Sequence, residues 1–348
     1  MKSVVLHGKI NRAGFWMAAM SAAFACSAEI LLPDPSIAVV GKRYYLLGTE
    51  YAPAGDPALK PSGKAVFPLY VSDDLHAWRL AETAAGEGRC LSLADAFGKR
   101  LFWAPQLFSR NGKWFLAYTC DFRWGIAVAD RPEGPFRPWM SYVSKRGQAI
   151  DPFVFQDEDG RAYVYFSSAE LSGMAVAPLS PDLRSLAGSP MKCITNDQPW
   201  ERKPLEPQYE ALNRKFGYGE WDQYRCGIGT TEGPTVMKRR GKYVLFYSAN
   251  DFRSPDYCVG AAVADNPLGP WKKLQSGAVL SREHTGLNGT GHGDVFFGPD
   301  GNLWYVFHAH NSGIRVSPRR TGVIQLVETV GADGYPRYAA NPQSMRLL

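Results

Sequence analysis

Short apolar and aromatic runs alternate with turn residues along nearly the whole chain, and five of these runs follow one pattern. Each begins at a small or acidic residue next to Pro or Asp, turns at Gly, and returns as a strand rich in aromatic and β-branched residues. Asn-Gly and Asp-Gly between apolar runs predict β-hairpins because these residues tolerate positive φ. The five units start at Asp34-Pro35, Trp103-Ala104-Pro105, Asp151-Pro152, Glu232-Gly233-Pro234 and His292-Gly293-Asp294.

This recurrence predicts an all-β fold, a five-bladed β-propeller, over residues 29–348. Residues 126–130 and 260–265 are near duplicates, and each is followed by a Gly-Pro-aromatic sequence. Hairpin-built repeats of this size close best as blades around an axis. A β-sandwich is the alternative, but it would not explain the duplicated Gly-Pro-aromatic ends.

Equivalent positions in a radial fold lie at equivalent heights near its axis, so the repeat predicts which side chains meet. We align the units on Pro35, Pro105, Pro152, Pro234 and Asp294. The residues that precede these anchors are Asp34, Trp103, Asp151, Glu232 and His292. Asp34 and Asp151 directly precede their anchors, whereas the other three lie two residues before theirs. Three carboxyls, an indole and an imidazole are therefore expected in one axial funnel.

The first residues have the pattern of an export signal. Lys2, Lys9 and Arg12 precede an uncharged apolar run over residues 13–25. This run is shorter than the roughly 20 residues that span a bilayer, and it is typical of a signal peptide. We predict a signal peptide over residues 1–28 and a periplasmic or secreted protein. Cleavage before Cys26 would permit a lipid anchor there. A buried N-terminal segment is the alternative.

Composition narrows the class of protein further. Aromatic residues make up 13% of the chain, with 35 Gly and 25 Pro, which suits many short strands joined by tight turns. The net charge of +6 is scattered without a basic stripe, so we predict no nucleic-acid partner. We also predict no transmembrane segment. The six cysteines lack metal-site spacing, and we predict no disulfide.

The ordered set of motifs resembles glycoside hydrolase family 43, the five-bladed propeller family of arabinofuranosidases and xylosidases. The resemblance covers essentially all of the chain after its first residues. Its matching segments are Asp34-Pro-Ser-Ile, Trp103-Ala-Pro, Asp151-Pro-Phe, Glu232-Gly-Pro-Thr, Gly289-Thr-Gly-His-Gly-Asp294, Trp304-Tyr-Val-Phe-His-Ala-His310 and Ser317-Pro-Arg-Arg320. Any one motif would be weak, but the ordered set is specific.

The resemblance implies an inverting hydrolase of carbohydrate with Asp34 as general base, Asp151 as pKa modulator and Glu232 as general acid. The expected substrates are plant cell-wall glycans that contain arabinose or xylose. A galactose-directed member of the family and a catalytically silent carbohydrate-binding propeller are the alternatives. Retention of all three carboxyls argues against the silent propeller, because a lectin needs no acid–base pair.

The resemblance also implies contacts around these carboxyls. A calcium ion near the axis would be associated with His292, through water or directly, although a buried histidine bonded to backbone is the alternative. Trp103 is expected to stack on a sugar ring, with blade packing as its alternative. An arginine of the last blade should hold substrate hydroxyls. Arg319 fits this role best, while Arg315 and Arg320 stay open.

The chemistry sets different demands on the two catalytic carboxyls. Inversion needs a carboxylate that deprotonates water and a carboxylic acid that protonates the leaving oxygen, roughly 6.5–9.5 Å apart. Glu232 must therefore have a raised pKa, which we expect from partial burial and from the negative charge of Asp151. An aromatic insertion over residues 195–230 is long for a blade connection, and we expect it to wall the substrate pocket.

Overall fold

The computed structural model describes residues 29–49, 63–216 and 231–348, whose strands form five antiparallel sheets. Blade I contains β1 (Ser36–Val40), β2 (Arg43–Leu47), β3 (Ala65–Ser72), β4 (Arg79–Leu80) and β5 (Arg89–Ser92). Blade II contains β6 (Trp103–Arg110), β7 (Lys113–Cys120), β8 (Arg123–Ala129) and β9 (Arg137–Tyr142). The predicted signal peptide and Cys26 lie outside the described residues.

The other three blades repeat this order. Blade III contains β10 (Ala149–Gln156), β11 (Ala162–Ser168), β12 (Gly173–Leu179) and β13 (Met191–Ile194). Blade IV contains β14 (Thr231–Arg239), β15 (Lys242–Ala249) and β16 (Cys258–Ala264). Blade V contains β17 (Gly291–Phe297), β18 (Leu303–Ala309), β19 (Arg320–Val330), β20 (Pro336–Ala340) and β21 (Arg346–Leu347).

Helices are short and few in the part of the chain that the structure describes. They are α1 (Pro207–Lys215), α2 (Arg282–Thr285) and 3₁₀ turns at Leu93–Asp95, Pro199–Glu201 and Pro342–Ser344. Within these same ranges, no helix combines the length and apolar character that a membrane crossing requires.

The ring closes through its innermost strands and five apolar seams. Each innermost strand contacts the next, and β17 of blade V contacts β1 of blade I. Each seam between neighbouring blades has its own buried apolar cluster. Val306 and Phe307, adjacent on β18, belong to different clusters because successive side chains point to opposite faces of a strand. Middle strands are thus buried on both faces, which explains their unbroken apolar sequences. The prediction of a five-bladed propeller is confirmed.

The chain is kinked near the start of every innermost strand by one residue with positive φ. These residues are Asp34 (51°), Ala104 (44°), Asp151 (57°), Gly233 (57°) and His292 (35°). Four are followed by Pro and the fifth by Gly293. Our alignment of blade V on Asp294 was therefore wrong by one residue, since Gly293 takes the place of the prolines. Trp103 and Glu232 accordingly occupy the position before the kink.

Side chains of the preceding blade hold most of these kinks. The backbone N–H of Asp34 donates to Nδ1 of His308 at 3.0 Å, and that of His292 donates to Oγ of Ser248 at 2.8 Å. The N–H of Asp151 donates likewise to Thr119 Oγ1 at 2.8 Å. Each acceptor lies at the end of the second strand of its blade. The position of each axial residue therefore depends on its neighbouring blade.

Candidate active site

Asp34 lies near the propeller axis among basic and hydroxyl groups. Its Oδ1 is 3.1 Å from Nη1 of Arg319 and 3.3 Å from Nδ1 of both His292 and His308. Its Oδ2 accepts a hydrogen bond of 2.6 Å from the Thr49 hydroxyl. Burial raises the pKa of Asp34, but the Arg319 guanidinium, His292 and His308 together outweigh it and hold that pKa well below its usual range. Asp34 is therefore a carboxylate at working pH.

The two imidazoles beside Asp34 are neutral. Burial, followed by the charge of Arg319, lowers the pKa of His308 to about 3. Burial also lowers the pKa of His292. Both effects have the same cause, because a buried imidazolium beside a guanidinium lacks hydration and is repelled. Arg319 is thus the cation that balances the charge of Asp34.

Asp151 and Glu232 lie where blades III and IV meet at the axis. Oδ2 of Asp151 accepts a hydrogen bond of 3.3 Å from the backbone N–H of Gly233, the residue after Glu232. Burial raises the pKa of Glu232 to about 7; a 2.6 Å hydrogen bond from Tyr257 opposes this shift, and the charge of Asp34 adds to it. A substantial fraction of the Glu232 carboxyl therefore keeps its proton at neutral pH, where an ordinary glutamate is ionised.

Asp151 and Glu232 influence each other's ionisation. Besides burial, the charges of Asp34 and Asp251 raise the pKa of Glu232, and the role of Asp151 as pKa modulator stays a prediction. The pKa of Asp151 is itself raised, by burial and then by Glu232. A buried and a half-buried carboxyl this close together do not both ionise readily, so the pair retains a proton.

The structure explains why the Glu-Gly-Pro motif has a glycine at position 233. Gly233 has a φ of 57°, a conformation that side chains disfavour. A Cβ added there would lie 2.7 Å from Cδ2 of His292. The motif thus lets blades IV and V approach closely at the axis, and it places Glu232 beside the Asp34 cluster.

Trp103 is half-buried and belongs to a small apolar cluster above the kinks. Its ring contacts Phe122 edge to face, with centroids 5.5 Å apart. Phe252 belongs to the same cluster, and the guanidinium of Arg319 lies 5.1 Å from the centre of the Phe252 ring. This contact places the aromatic cluster beside the arginine of the site. Stacking of Trp103 on a sugar stays a prediction.

The three candidate arginines have different positions. Arg319 is buried and contacts Asp34, as described above. Arg320 forms an ion pair with Glu29. Arg315 is exposed and lies over the Phe216 ring at 5.5 Å. Of the three, Arg319 is therefore the one that the structure brings to the carboxyl set.

Sequence reasoning missed three residues of the site: Thr49, Tyr257 and His308. His308 lies near the end of β18, and Thr49 lies two residues after β2, where its Oγ1 accepts a hydrogen bond of 2.9 Å from the Ala104 N–H. Both therefore follow the pattern that holds the other kinks, so the repeat itself contained a signal for them. Tyr257 precedes the third strand of blade IV and belongs to none of the motifs. Its contact with Glu232 is a consequence of the tertiary fold.

The insertion lies against blade IV over its described part, residues 195–216. The buried Glu201 contacts the Tyr247 hydroxyl, and its Oε2 is 2.7 Å from Nζ of Lys273. The Lys203 N–H donates to Oδ1 of Asn250 at 2.8 Å. The insertion therefore docks on the loop that leads to Tyr257. Residues 217–230, with the remaining aromatics, lie outside the described residues, so their place in the pocket wall stays a prediction.

The described residues were compared with what a metal site built from side chains requires. Among the residues described, no group of three or more His, Cys, Asp or Glu side chains is arranged to hold one. Calcium prefers oxygen ligands, and Nδ1 of His292 faces Asp34 instead. No step below depends on an ion, and calcium near His292 stays a prediction. Among the described cysteines, Cys120, Cys193 and Cys258 are free thiols.

These features define a propeller hydrolase whose axial funnel holds one ionised and one protonated carboxyl. Residues 28–336 match the glycosyl hydrolases family 43, and the chain belongs to this family of glycoside hydrolases.

Relatives of known activity cover most of the chain. A β-D-galactofuranosidase from Aspergillus niger is 25% identical over 79% of this chain and 72% of its own length. A xylosidase/arabinosidase from Bacteroides ovatus is 28% identical over 68% of this chain and 74% of its own length. The fold is similar to that of an endo-1,4-β-xylanase from Bacteroides thetaiotaomicron, with a TM-score of 0.71 and 30% identity. The match covers 89% of this chain and 95% of the xylanase chain.

Proposed function

We propose that this chain is an inverting glycosidase that removes arabinose or xylose from plant cell-wall polysaccharides or oligosaccharides. The observation that carries this proposal is the opposite protonation of two carboxyls in one funnel, with Asp34 ionised and Glu232 protonated near neutral pH. Hydrolysis with inversion requires such a pair. The xylosidase/arabinosidase relative supports the choice of sugar.

The proposed reaction is one displacement at the anomeric carbon. Asp34 takes a proton from water, whose oxygen bonds to that carbon as the glycosidic C–O bond breaks. Glu232 gives its proton to the leaving oxygen, and Tyr257 then donates to the new carboxylate. Arg319 keeps Asp34 ionised until water binds, and Asp151 holds the backbone beside Glu232 through the Gly233 N–H. General acid–base assistance of this kind contributes about 10²–10⁴-fold to rate.

A galactofuranose-directed activity is the second candidate, because the Aspergillus niger relative is a β-D-galactofuranosidase. Export to the periplasm or medium, with or without a lipid on Cys26, remains part of the proposal.

A panel of nitrophenyl α-L-arabinofuranoside, β-D-xyloside and β-D-galactofuranoside tests both candidates, with proton NMR of the first anomer released. The Asp34→Asn variant serves as the control for contaminating activity. We expect turnover of an arabinoside or xyloside with inverted product. A retained anomer would contradict the proposed inverting mechanism. Turnover of the galactofuranoside alone would overturn the proposed preference for arabinose or xylose in favour of galactofuranose.

A further inference from the structure

Tyr257 contacts the proposed general acid from a fixed position. Its Oη donates to Oε1 of Glu232 at 2.6 Å, and its side chain is fully buried. Its ring lies parallel to the His308 imidazole, with centroids 5.5 Å apart and planes within 5°. A Cβ added at Gly291 would lie 2.5 Å from Cδ1 of Tyr257, so the glycine of the neighbouring blade makes room for the ring.

The Tyr257 hydroxyl is also part of a chain of hydrogen bonds. The N–H of His292 donates to Oγ of Ser248 at 2.8 Å, and the Ser248 hydroxyl is hydrogen-bonded to Tyr257. Tyr257 in turn donates to Glu232. Successive hydrogen bonds polarise one another, which strengthens the last donor of the chain. The blade V kink is thereby connected to the carboxyl of Glu232.

The insertion reaches the same chain through the loop before Tyr257. Besides the bond from the Lys203 N–H to Asn250, Nζ of Lys203 is 3.2 Å from Asp256, the residue directly before Tyr257. The N–H of Tyr257 donates to the Ser254 carbonyl at 3.1 Å, which closes the loop. The backbone that carries Tyr257 is therefore held from both the insertion and blade IV.

We propose that Tyr257 is a positioning residue for the general acid, which rests on the proposed role of Glu232. A carboxylic acid carries its proton on one of two oxygens. Because the Tyr257 hydroxyl occupies Oε1 as a donor, the proton of Glu232 resides on Oε2 and faces the substrate. When that proton leaves, the same hydroxyl stabilises the new carboxylate as a charge-assisted hydrogen bond.

The Tyr257→Phe variant tests this inference, since it keeps the ring against His308 and removes only the hydroxyl. On a phenyl glycoside of the preferred sugar we expect kcat/KM to fall about 10- to 100-fold, as for a lost hydrogen bond to a charged group. On the 2,4-dinitrophenyl glycoside, whose leaving group needs little protonation, we expect a fall of less than about 3-fold. The alkaline limb of the pH profile should move upward, because the Glu232 carboxylate loses a donor.

The matched control is Tyr165→Phe. Tyr165 is equally buried and donates to the Pro267 carbonyl at 2.5 Å, in the seam between blades III and IV. We expect this variant to lower thermal stability without changing the pH profile or the dependence on leaving group.

Glu232→Gln separates failure of this inference from failure of the proposed function. If Glu232→Gln shows a strong dependence on leaving group while folded Tyr257→Phe behaves as wild type, the role of Tyr257 is overturned and Glu232 remains the acid. If Glu232→Gln shows no such dependence, the role of Glu232 itself fails, and the inference fails with it.

Discussion

The two sides of the funnel show how neighbouring carboxyls acquire opposite roles. On the side of blades I and V, Asp34 is buried yet has a pKa well below its usual range. On the side of blades III and IV, Glu232 is only half-buried but has a pKa raised to about 7. Burial disfavours ionisation of both, so burial does not decide between them.

The charge partners decide the difference. Asp34 has the Arg319 guanidinium at 3.1 Å, whereas the partners of Glu232 and Asp151 are the neutral Tyr257 hydroxyl and the Gly233 N–H. At Asp34 the full positive charge of Arg319, together with His292 and His308, outweighs the cost of burying a carboxylate, whereas the neutral donors at Glu232 and Asp151 only reduce that cost. The basic cluster of blade V therefore distinguishes base from acid.

Amide replacement of the two carboxyls should have the largest effects. We expect Asp34→Asn to lower kcat about 10²–10⁴-fold on both phenyl and 2,4-dinitrophenyl glycosides, because both require activated water. Glu232→Gln should cause a comparable loss on the phenyl glycoside and a much smaller one on the 2,4-dinitrophenyl glycoside. Steady-state kinetics on the two substrates measures this. Identical patterns for the two variants would remove the distinction between the sides.

Removing the Arg319 guanidinium should destabilise the folded protein mainly through Asp34. We expect Arg319→Met to lower the free energy of unfolding by about 3–5 kcal/mol at pH 7, since a buried carboxylate loses its partner. In this variant the folded pKa of Asp34 rises above its unfolded value, so acidification protonates Asp34 and narrows the difference from wild type. Urea denaturation at pH 7 and pH 5 measures this.

The adjacent Arg320→Met is the control for that variant. Arg320 pairs with Glu29 at the surface, where an ion pair contributes up to about 1 kcal/mol. The account would be contradicted if Arg319→Met lowered the free energy of unfolding equally at both pH values. It would also be contradicted if Arg319→Met lowered that free energy no more than Arg320→Met does.

The pH profile of the wild-type enzyme should show the smallest effect. On the phenyl glycoside we expect kcat/KM to fall above about pH 7, by tenfold per pH unit, as Glu232 loses its proton. Because the pKa of Asp34 is depressed, acidification from pH 7 to pH 5 should cause no comparable loss through Asp34. A steep loss between pH 7 and pH 5 would show that the base titrates there and that Arg319 does not hold it ionised.

The sequence predicted the architecture well because each blade repeats a strong local signal. Asn111 and Gly112 both have positive φ in the structure, as the predicted hairpin turn requires. The prolines at four of the five kinks likewise marked the axis. Blade V has no proline at this position. We therefore aligned Asp294 with the prolines, but the kink at His292 shows that Gly293 is the equivalent residue.

The site was predictable only as far as the repeat extends. Asp34, Asp151 and Glu232 lie at or beside kinked positions, so the repeat could bring them together. Tyr257 comes from outside the repeat pattern, and its contact depends on how blades IV and V pack. Burial, the largest cause of the raised Glu232 pKa, was predicted from the sequence, whereas the contributions of Asp34 and Asp251 were not, because they depend on which charges are close in space.

A carbon-13 NMR titration of protein labelled at the glutamate side-chain carboxyls tests the central claim most directly, with Glu232→Gln for assignment. The account predicts one glutamate carboxyl that titrates near pH 7 and is absent from the spectrum of the variant. If the signal that disappears in Glu232→Gln titrates below about pH 5 in the wild-type protein, at the ordinary position of a glutamate, the assignment of Glu232 as the acid is contradicted.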